Sequence, residues 1–416
     1  MWRDLSMDPN DPRYVEKVIN DKRSGSRLIS VTNLSGGRFP NNTPDPRSPE
    51  LRGGVGRLTG GKDGLGSLSV GHLTGEGAAP DLRLGLSALE EIDEISMVAM
   101  PDIMPKDRIT PKTKVRPPDC RILNQEPQPP PPSSGPLEFP RNFSDSEIAF
   151  LQATLIGHCE RLKDRVAILD SLRDHLNSEQ VIGWRRPTSG TPGLIDSTYG
   201  ALYFPWVLVP DPLQLTGLLR TVPPSGHVAG IYARGDLRVG VHKPPANEEL
   251  EAVKDVRVAV DDLAHGDLNN HGINVIRAQQ GRGVRVSGAR TIAPSDKPEW
   301  RYINVRRLLL MIEEAIDEQT QWTVFEPNNP DLWREVDRVA RSFLDGLWRR
   351  GMLDGATAEE AYFVRCDETT NPADQTEAGR LICEIGVLPP WPAEFVVVRI
   401  GKTEGGTEIL ENERSE

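Results

Sequence analysis

The sequence predicts an α/β chain, a mostly parallel sheet with helices on both faces, followed by a smaller α+β domain. Three observations predict it. Short apolar runs suited to strands buried on both faces alternate with longer runs of helical period through the middle of the chain. After residue 300 the pattern changes to two long amphipathic helices and then short strands. The length, 416 residues, is enough for two or three domains with cores of their own.

Residues 1–50 read as an extended, turn-rich segment, with "LISV" as a short strand and "FPNNTPDPRSP" as a loop. From Leu58, "LTGGKDGLGS" is a glycine-rich connection, and "LGLSALEEIDEISMVAMPDIM" reads as a helix followed by a strand over 95–100. Residues 104–145 are proline-rich and nearly without period, so a surface insertion projecting outward is expected. Order returns where Ser144 or Asp145 can cap a helix carrying Ile148, Leu151, Leu155, Ile156 and Cys159 at helical spacing. Residues 165–170 read as a second buried strand and "STYGALYFPWVLV" as a third. "NVIRAQQGRGVRVSGARTI" reads as a strand, a glycine turn and a strand. Together 51–290 form the predicted core domain.

Residues 291–401 form the predicted C-terminal domain. Val305, Leu308, Leu309, Ile312 and Ile316 mark one amphipathic helix; Leu332, Val336, Val339, Ala340, Phe343, Leu344 and Leu347 mark a second. Pro330 suits the first turn of the second helix, Arg349 and Arg350 its negative end, and Gly351 its closure. The expected core is Val305, Leu308, Leu309, Ile312, Val336, Phe343 and Leu344. "AYFVRC" and "RLICEIGV" follow as strands, then "EFVVVRI"; the acidic tail 402–416 is expected to fray.

A net charge of −12 argues against nucleic acid and against an anionic membrane surface as partners. No apolar run reaches the roughly 18 residues of a spanning helix, and the opening "MWRDLSMDPNDPRY" lacks the blocks of a signal peptide. Cys120, Cys159, Cys366 and Cys383 show no CxxC spacing. They read as reduced, packed thiols, with a Cys366–Cys383 bridge between neighbouring strands left open.

One stretch, "VPPSGHVAGIYARGD", resembles a catalytic run of subtilisin-like serine proteases, in which Gly-Thr-Ser precedes His-Val-Ala-Gly by four residues. His227, Val228, Ala229 and Gly230 are present, but the nucleophile position is Val222, which has no hydroxyl to activate. Pro223 and Pro224 suit the start of a helix whose small residues Ser225, Gly226, Ala229, Gly230 and Ala233 allow close packing. Ser225, His227 and Asp236 on one helix cannot point at a common centre. His265, Asp267 and His271, with His242 upstream, match no zinc spacing and are expected to bond backbone from a polar loop. No catalytic, cofactor-binding or metal site is predicted, and no cofactor.

"LTGGKDG", "GLSALEEIDEISMVAMPD", "HCERLKDRVAILD", "DSTYGALYFPWVLVPDP" and "VPPSGHVAGIYARGDLRVGVHKPPAN" occur in one order. "EWRYINVRRLLLMIEEAI", "FEPNN" and "PAEFVVVRIG" follow them. From about Leu5 to Gly401, broken by the proline-rich insertion, the chain resembles the tail sheath proteins of contractile phages and phage-tail-like contractile injection systems. The resemblance implies a subtilisin-like core without protease function, in a structural protein rather than an enzyme. It implies hexameric rings stacked as a helical array around an inner tube, contracting to drive that tube through a target envelope. The implied partners are further copies of the chain, the inner tube protein, and baseplate and tail terminator proteins. The implied location is a phage tail or tail-like particle, assembled in the cytoplasm and open to release.

A strand exchanged between neighbours suits such a lattice, because backbone hydrogen bonds link subunits without fixing their side-by-side packing. In "EFVVVRI", Val396, Val398 and Ile400 face one way and Phe395, Val397 and Arg399 the other. Left uncovered, this strand would invite aggregation. The competing readings are a hydrolase on the same scaffold and a non-contractile baseplate or terminator subunit. One departure from the family is the opening, which lacks the "PGVYVEE"-type arm and resembles a segment well inside longer members.

Overall fold

The computed structural model describes residues 10–21, 30–31, 64–75, 83–105, 141–211 and 219–392. Its backbone divides into two compact units, Met1–Asp63 with Cys120–Leu137, and Gly64–Asp119 with Glu138–Glu416. In the first, a short helix α1 (Val15–Ile19) buries Ile19. Asn20 follows it and clamps Val31: its Nδ2 donates to the Val31 carbonyl at 2.7 Å, and the Val31 N–H donates to its Oδ1 at 2.8 Å. The expected "LISV" strand, the insertion 104–145, the strand 395–400 and the tail 402–416 lie wholly or mostly outside the described residues.

The second unit opens with α2 (Val70–Thr74), capped by Ser69, and a 3-10 turn over Gly85–Leu89. The sequence reads a longer helix there. The turn closes at Leu89; Gly85 opens it, with φ +54° and a position where a Cβ would meet the Leu73 carbonyl oxygen at 2.1 Å, so no helix extends back through it. Next come β1 (Met97–Ala99), α3 (Asp145–Leu162), β2 (Val166–Asp170), α4 (Ser178–Arg185) and β3 (Gly200–Phe204). They are followed by β4 (Val207–Pro210), β5 (Leu219–Val222), α5 (Ser225–Arg238), β6 (Asp255–Val256), α6 (Asp262–Asn270), β7 (Ile273–Gln279) and β8 (Gly283–Ser287).

The main sheet runs β1-β2-β3-β7-β8, parallel except for the β7–β8 hairpin. Each central strand alternates between two cores, as period-2 side chains must. Ala167, Leu169, Leu202, Phe204, Ile273 and Val275 face a core completed by α3, α4 and α6. Val166, Ile168, Ala201, Tyr203 and Ile276 face a second, completed by α5 and by β4, β6 and β8. Helices therefore cover both faces. Ser144 caps α3 in a reciprocal box with Glu147, and all five expected apolar positions of that helix are buried. The run "STYGALYFPWVLV" is two strands: after Pro205 it leaves the main sheet and enters a separate antiparallel sheet β5-β4-β6. A proline lacks the N–H that a continuous central strand needs.

Beyond β8 lie α7 (Ile303–Thr320), α8 (Pro330–Arg349), α9 (Ala358–Ala361), β9 (Tyr362–Arg365), α10 (Ala373–Glu377) and β10 (Glu384–Val387). Asn329 caps α8, with Pro330 in the first turn, and Gly351 follows its end at φ +72°. β9 and β10 form a two-stranded antiparallel sheet. At its centre Gly386 has no side chain, and the Phe363 ring fills that space, 2.1 Å from where a Cβ would sit.

Candidate functional site: the C-terminal body and the protease-like run

The helix α7 buries two faces, not one. Ile303 and Leu310 point into the second core of the sheet domain, while Leu308 and Ile312 point into a third core with Ala340, Leu344, Leu347, Ala361 and Val364. Phe343 packs on the edge of that third core, Val336 sits in a small adjoining cluster with Trp333 and Cys366, and Val305 is buried. Leu309 differs from the expectation. It falls at the margin between the two faces and is half-buried, while its neighbour Leu310 is buried. A single helical stripe was the wrong template for a helix that serves two cores.

Two arginines in the same first turns tie α7 to the sheet domain. The Arg306 guanidinium stacks 3.5 Å from the Trp300 ring centroid and 4.3 Å from that of Tyr199, and donates to Thr198 Oγ1 at 2.7 Å. Burial pulls its pKa down from the usual arginine value. Arg307 pairs with Asp236 of α5 through Nη1–Oδ1 at 3.1 Å and Nη2–Oδ2 at 2.5 Å, and lies 4.5 Å from the Tyr232 ring centroid. The Tyr232 hydroxyl in turn meets that of Tyr203 on β3 at 2.7 Å, both buried. Burial pushes the Tyr232 phenol up to about 12, so it stays protonated. Sheet, α5 and α7 thus share one polar chain. The sequence reading missed these residues, although two arginines amid the apolar positions of α7 were a usable signal.

The segment leaving β10 is held as well. The Leu388 N–H donates to the Ala361 carbonyl and the Asp354 N–H to the Leu388 carbonyl, both at 2.8 Å. Trp391 packs edge-on against Tyr302 at 5.7 Å. The chain therefore stays docked to the start of α7 as far as Trp391.

The protease-like run sits at the β5–α5 junction. Val222 ends β5, half-buried and paired with Val207. α5 starts at Ser225 after Pro224, which gives no side-chain cap. The missing cap comes from another element: Asp170, at the end of β2, accepts the Ser225 N–H at 2.8 Å. Val228 is buried, His227 and Ala229 are half-buried and Gly230 is exposed. Only some of the small residues pack closely: Ser225 is buried and Ala229 lies against the second core, while the glycines do not. A Cβ at Gly226 or Gly230 would meet nothing within 4 Å, and α5 packs through Ser225, Val228, Ile231 and Tyr232.

Asp170 is fully buried, and desolvation raises its pKa to about 7 against the hydrogen bond from the Ser225 N–H. Burial lowers the pKa of His227 from the usual imidazole value. The carboxylate therefore caps a helix; it does not orient an imidazole towards a serine. With a valine at the nucleophile position, the site has no hydroxyl coupled to a base. A serine-reactive fluorophosphonate is expected to leave the purified chain unlabelled, and stoichiometric labelling would contradict this reading.

Asp170 also sets a pH dependence. Its folded pKa is raised above the unfolded value, so its contribution is fully present below about pH 4 and is lost as pH rises through about 7. Each pH unit in that window lowers stability by at most about 1.4 kcal/mol. Asp170→Asn keeps an oxygen to accept the Ser225 N–H without the charge. Its unfolding midpoint is expected to gain on the wild type between pH 5 and pH 8; parallel curves would contradict the assignment.

His265 lies on α6 and not in a loop, and His271 is the residue that caps the end of that helix. His265 Nε2 lies 3.1 Å from the Ser287 carbonyl and His271 Nδ1 2.8 Å from the Asp267 carbonyl. Among the described residues no three His, Cys, Asp or Glu side chains converge as metal ligands, and no helix is long and apolar enough to cross a membrane.

Two family profiles match the chain: "Phage tail sheath protein central domain" over 141–292 and "Phage tail sheath C-terminal domain" over 295–402. The tail sheath protein of Salmonella phage ViI is 24% identical over 283 residues. That alignment covers 65% of this chain but spans only 42% of the phage protein's length. Among solved structures, a chain of the anti-feeding prophage baseplate is 33% identical with a TM-score of 0.53, covering 63% of this chain and 67% of that one. A chain of the PVC extracellular contractile injection system's sheath complex, in the contracted state, is 32% identical with a TM-score of 0.54. The match covers 61% of this chain and 68% of the PVC chain.

Proposed function

Since the chain belongs to the phage tail sheath family, we propose that it is the subunit of a contractile sheath, polymerising as a six-fold helical array around an inner tube. It is a structural protein and not an enzyme. In this reading the array shortens to drive the tube through a target envelope. Its partners are copies of itself, the inner tube protein, and the baseplate and terminator proteins at the two ends. The assembly forms in the cytoplasm as part of a phage tail or tail-like particle. The core over 51–290 is a subtilisin-like domain that keeps the scaffold without the chemistry, carrying the insertion 104–145 on its outer surface, and 291–401 is the C-terminal sheath domain.

The observation that carries the proposal is the β9–β10 sheet. It has only two strands among the described residues, and the outer edge of β10 faces no third one. On the outer edge of β9, Arg341 Nη2 already donates to the Val364 carbonyl at 2.5 Å. An open β10 edge, in a chain whose residues 395–400 carry an alternating apolar strand, supports pairing between neighbouring subunits. Trp391, docked on Tyr302 a few residues before that segment, is consistent with this reading. Negative-stain electron microscopy of the expressed full chain tests the assembly: long tubes or cogwheel-ended cylinders are expected. Monodisperse monomers or single rings would contradict a sheath and favour an accessory subunit.

A further inference from the structure

The β9–β10 register places two cysteines face to face. Arg365 stands opposite Glu384 and forms an ion pair with it at 3.6 Å, so the next pair outward is Cys366 and Cys383. Which kind of pair this is follows from the ladder. Leu388 N–H donates to the Ala361 carbonyl, so 361 and 388 form a hydrogen-bonded pair, and alternation makes 363 with 386 and 365 with 384 the same kind. The pair 366 with 383 is then a non-hydrogen-bonded one, in which Cα atoms stand about 4.5 Å apart and side chains lean together. That separation falls at the short end of what a disulfide spans, about 4.4–6.8 Å.

The surroundings hold both ends in place. Asn371, itself buried, accepts the Ile382 N–H on its Oδ1 at 2.7 Å and returns its Nδ2 to the Ile382 carbonyl at 2.9 Å. The same Nδ2 lies 3.9 Å from Cys366 Sγ. The two strand ends are therefore clamped by one side chain. Both sulfurs are free thiols in this structure, packed in one small cluster with Trp333 and Val336. Cys366 is buried and Cys383 half-buried.

We propose that Cys366 and Cys383 are a reversible dithiol–disulfide site, oxidised by small-molecule disulfides through Cys383. The Cys383 thiolate attacks one sulfur of the dissolved disulfide and expels the other as a thiolate. Cys366 Sγ then attacks Cys383 Sγ, expelling the second thiolate. The two cysteines lose two protons and two electrons in all, and the reagent is reduced to two thiols. The order of attack follows from access, since Cys383 is half-buried and Cys366 is buried. The neighbouring Cys366 thiol lowers the Cys383 pKa, while the Cys383 sulfur and burial raise that of Cys366. Cys159 is a built-in control, buried with its pKa pushed up to about 12. The resulting bridge closes the loop 367–382 covalently and locks the open end of the two-stranded sheet. This site does not depend on how subunits assemble.

The test uses the full chain incubated with oxidised glutathione, then alkylated under denaturing conditions, digested and analysed by mass spectrometry. The expected product is a Cys366–Cys383 linked peptide pair within one chain, with Cys159 alkylated. The oxidised form should unfold at a midpoint higher by on the order of 5 °C, reversed by dithiothreitol. Cys366→Ser should accumulate a glutathione mixed disulfide on Cys383, and Cys383→Ser should accumulate none on Cys366. If Cys366 and Cys383 stay alkylatable in the wild type, or pair with other cysteines or between chains, the proposal is overturned. Equal trapping in the two variants would overturn the assigned order of attack.

Discussion

Leu308→Asp is expected to unfold the C-terminal body, whereas Leu309→Asp one residue on is expected to be tolerated. Leu308 is fully buried in the third core, against Ala340, Leu344 and Leu347 of α8 and Val364 of β9. A carboxylate there has no cation or donor within that apolar cluster. Desolvating it unpaired costs roughly 3–5 kcal/mol, a large share of a domain's stability. Loss of the packed leucine adds about 2–5 kcal/mol for a site that cannot collapse. Leu309 lies at the margin, where a carboxylate reaches water, so about 1 kcal/mol is the expected loss. Denaturant unfolding of the two variants checks the pair. A Leu308→Asp protein with a wild-type midpoint, or equal damage from both substitutions, would show that α7 is oriented differently.

The contrast also shows what could be read from local pattern. α3 was legible because its signals are local: a Ser144–Glu147 cap and five apolar positions at one helical period. β2 was legible as a short run buried on both faces. α8 was legible through Pro330 at its start, Gly351 after its end and one apolar stripe. α7 was found as a helix, but its burial was not, since nothing in its own period says that it faces two cores. Period alone also joined β3 to β4 across Pro205, and read a longer helix where the chain makes only the 3-10 turn Gly85–Leu89.

The polar groups that hold the fold together were the least legible. Arg307 meets Asp236 across 71 residues, Arg306 meets Thr198 across 108, and Ser225 meets Asp170 across 55. Such pairs leave no local signature, because the partner is chosen by the tertiary fold. The protease-like run was the opposite case. His227-Val228-Ala229-Gly230 is conspicuous as text, yet the structure uses that helix for packing through Val228 and Ile231 and takes its cap from Asp170. The missing hydroxyl at Val222 was readable from sequence; the buried carboxylate that replaces a side-chain cap was not.

If an exchanged strand links the subunits, truncation after Ala393 removes that link and leaves the folded body intact. Residues 395–400 lie outside the described residues; their alternating pattern and a β10 edge left unpaired among the described residues support the exchange. Six residues added to an edge form about 4–6 backbone hydrogen bonds at about 1 kcal/mol net each. Burying Val396, Val398 and Ile400 contributes about 1.5–3 kcal/mol per side chain. Ordering the segment offsets part of this, so a single link is moderate, but a lattice repeats it at every subunit. The truncated chain keeps α7, α8, β9, β10 and the docked Trp391, and should therefore unfold at the midpoint of the full chain. Electron microscopy of the two proteins side by side is the deciding measurement. The account predicts long tubes from the full chain and folded, soluble, unpolymerised subunits from the truncated one; tubes of normal length from the truncated chain would contradict it.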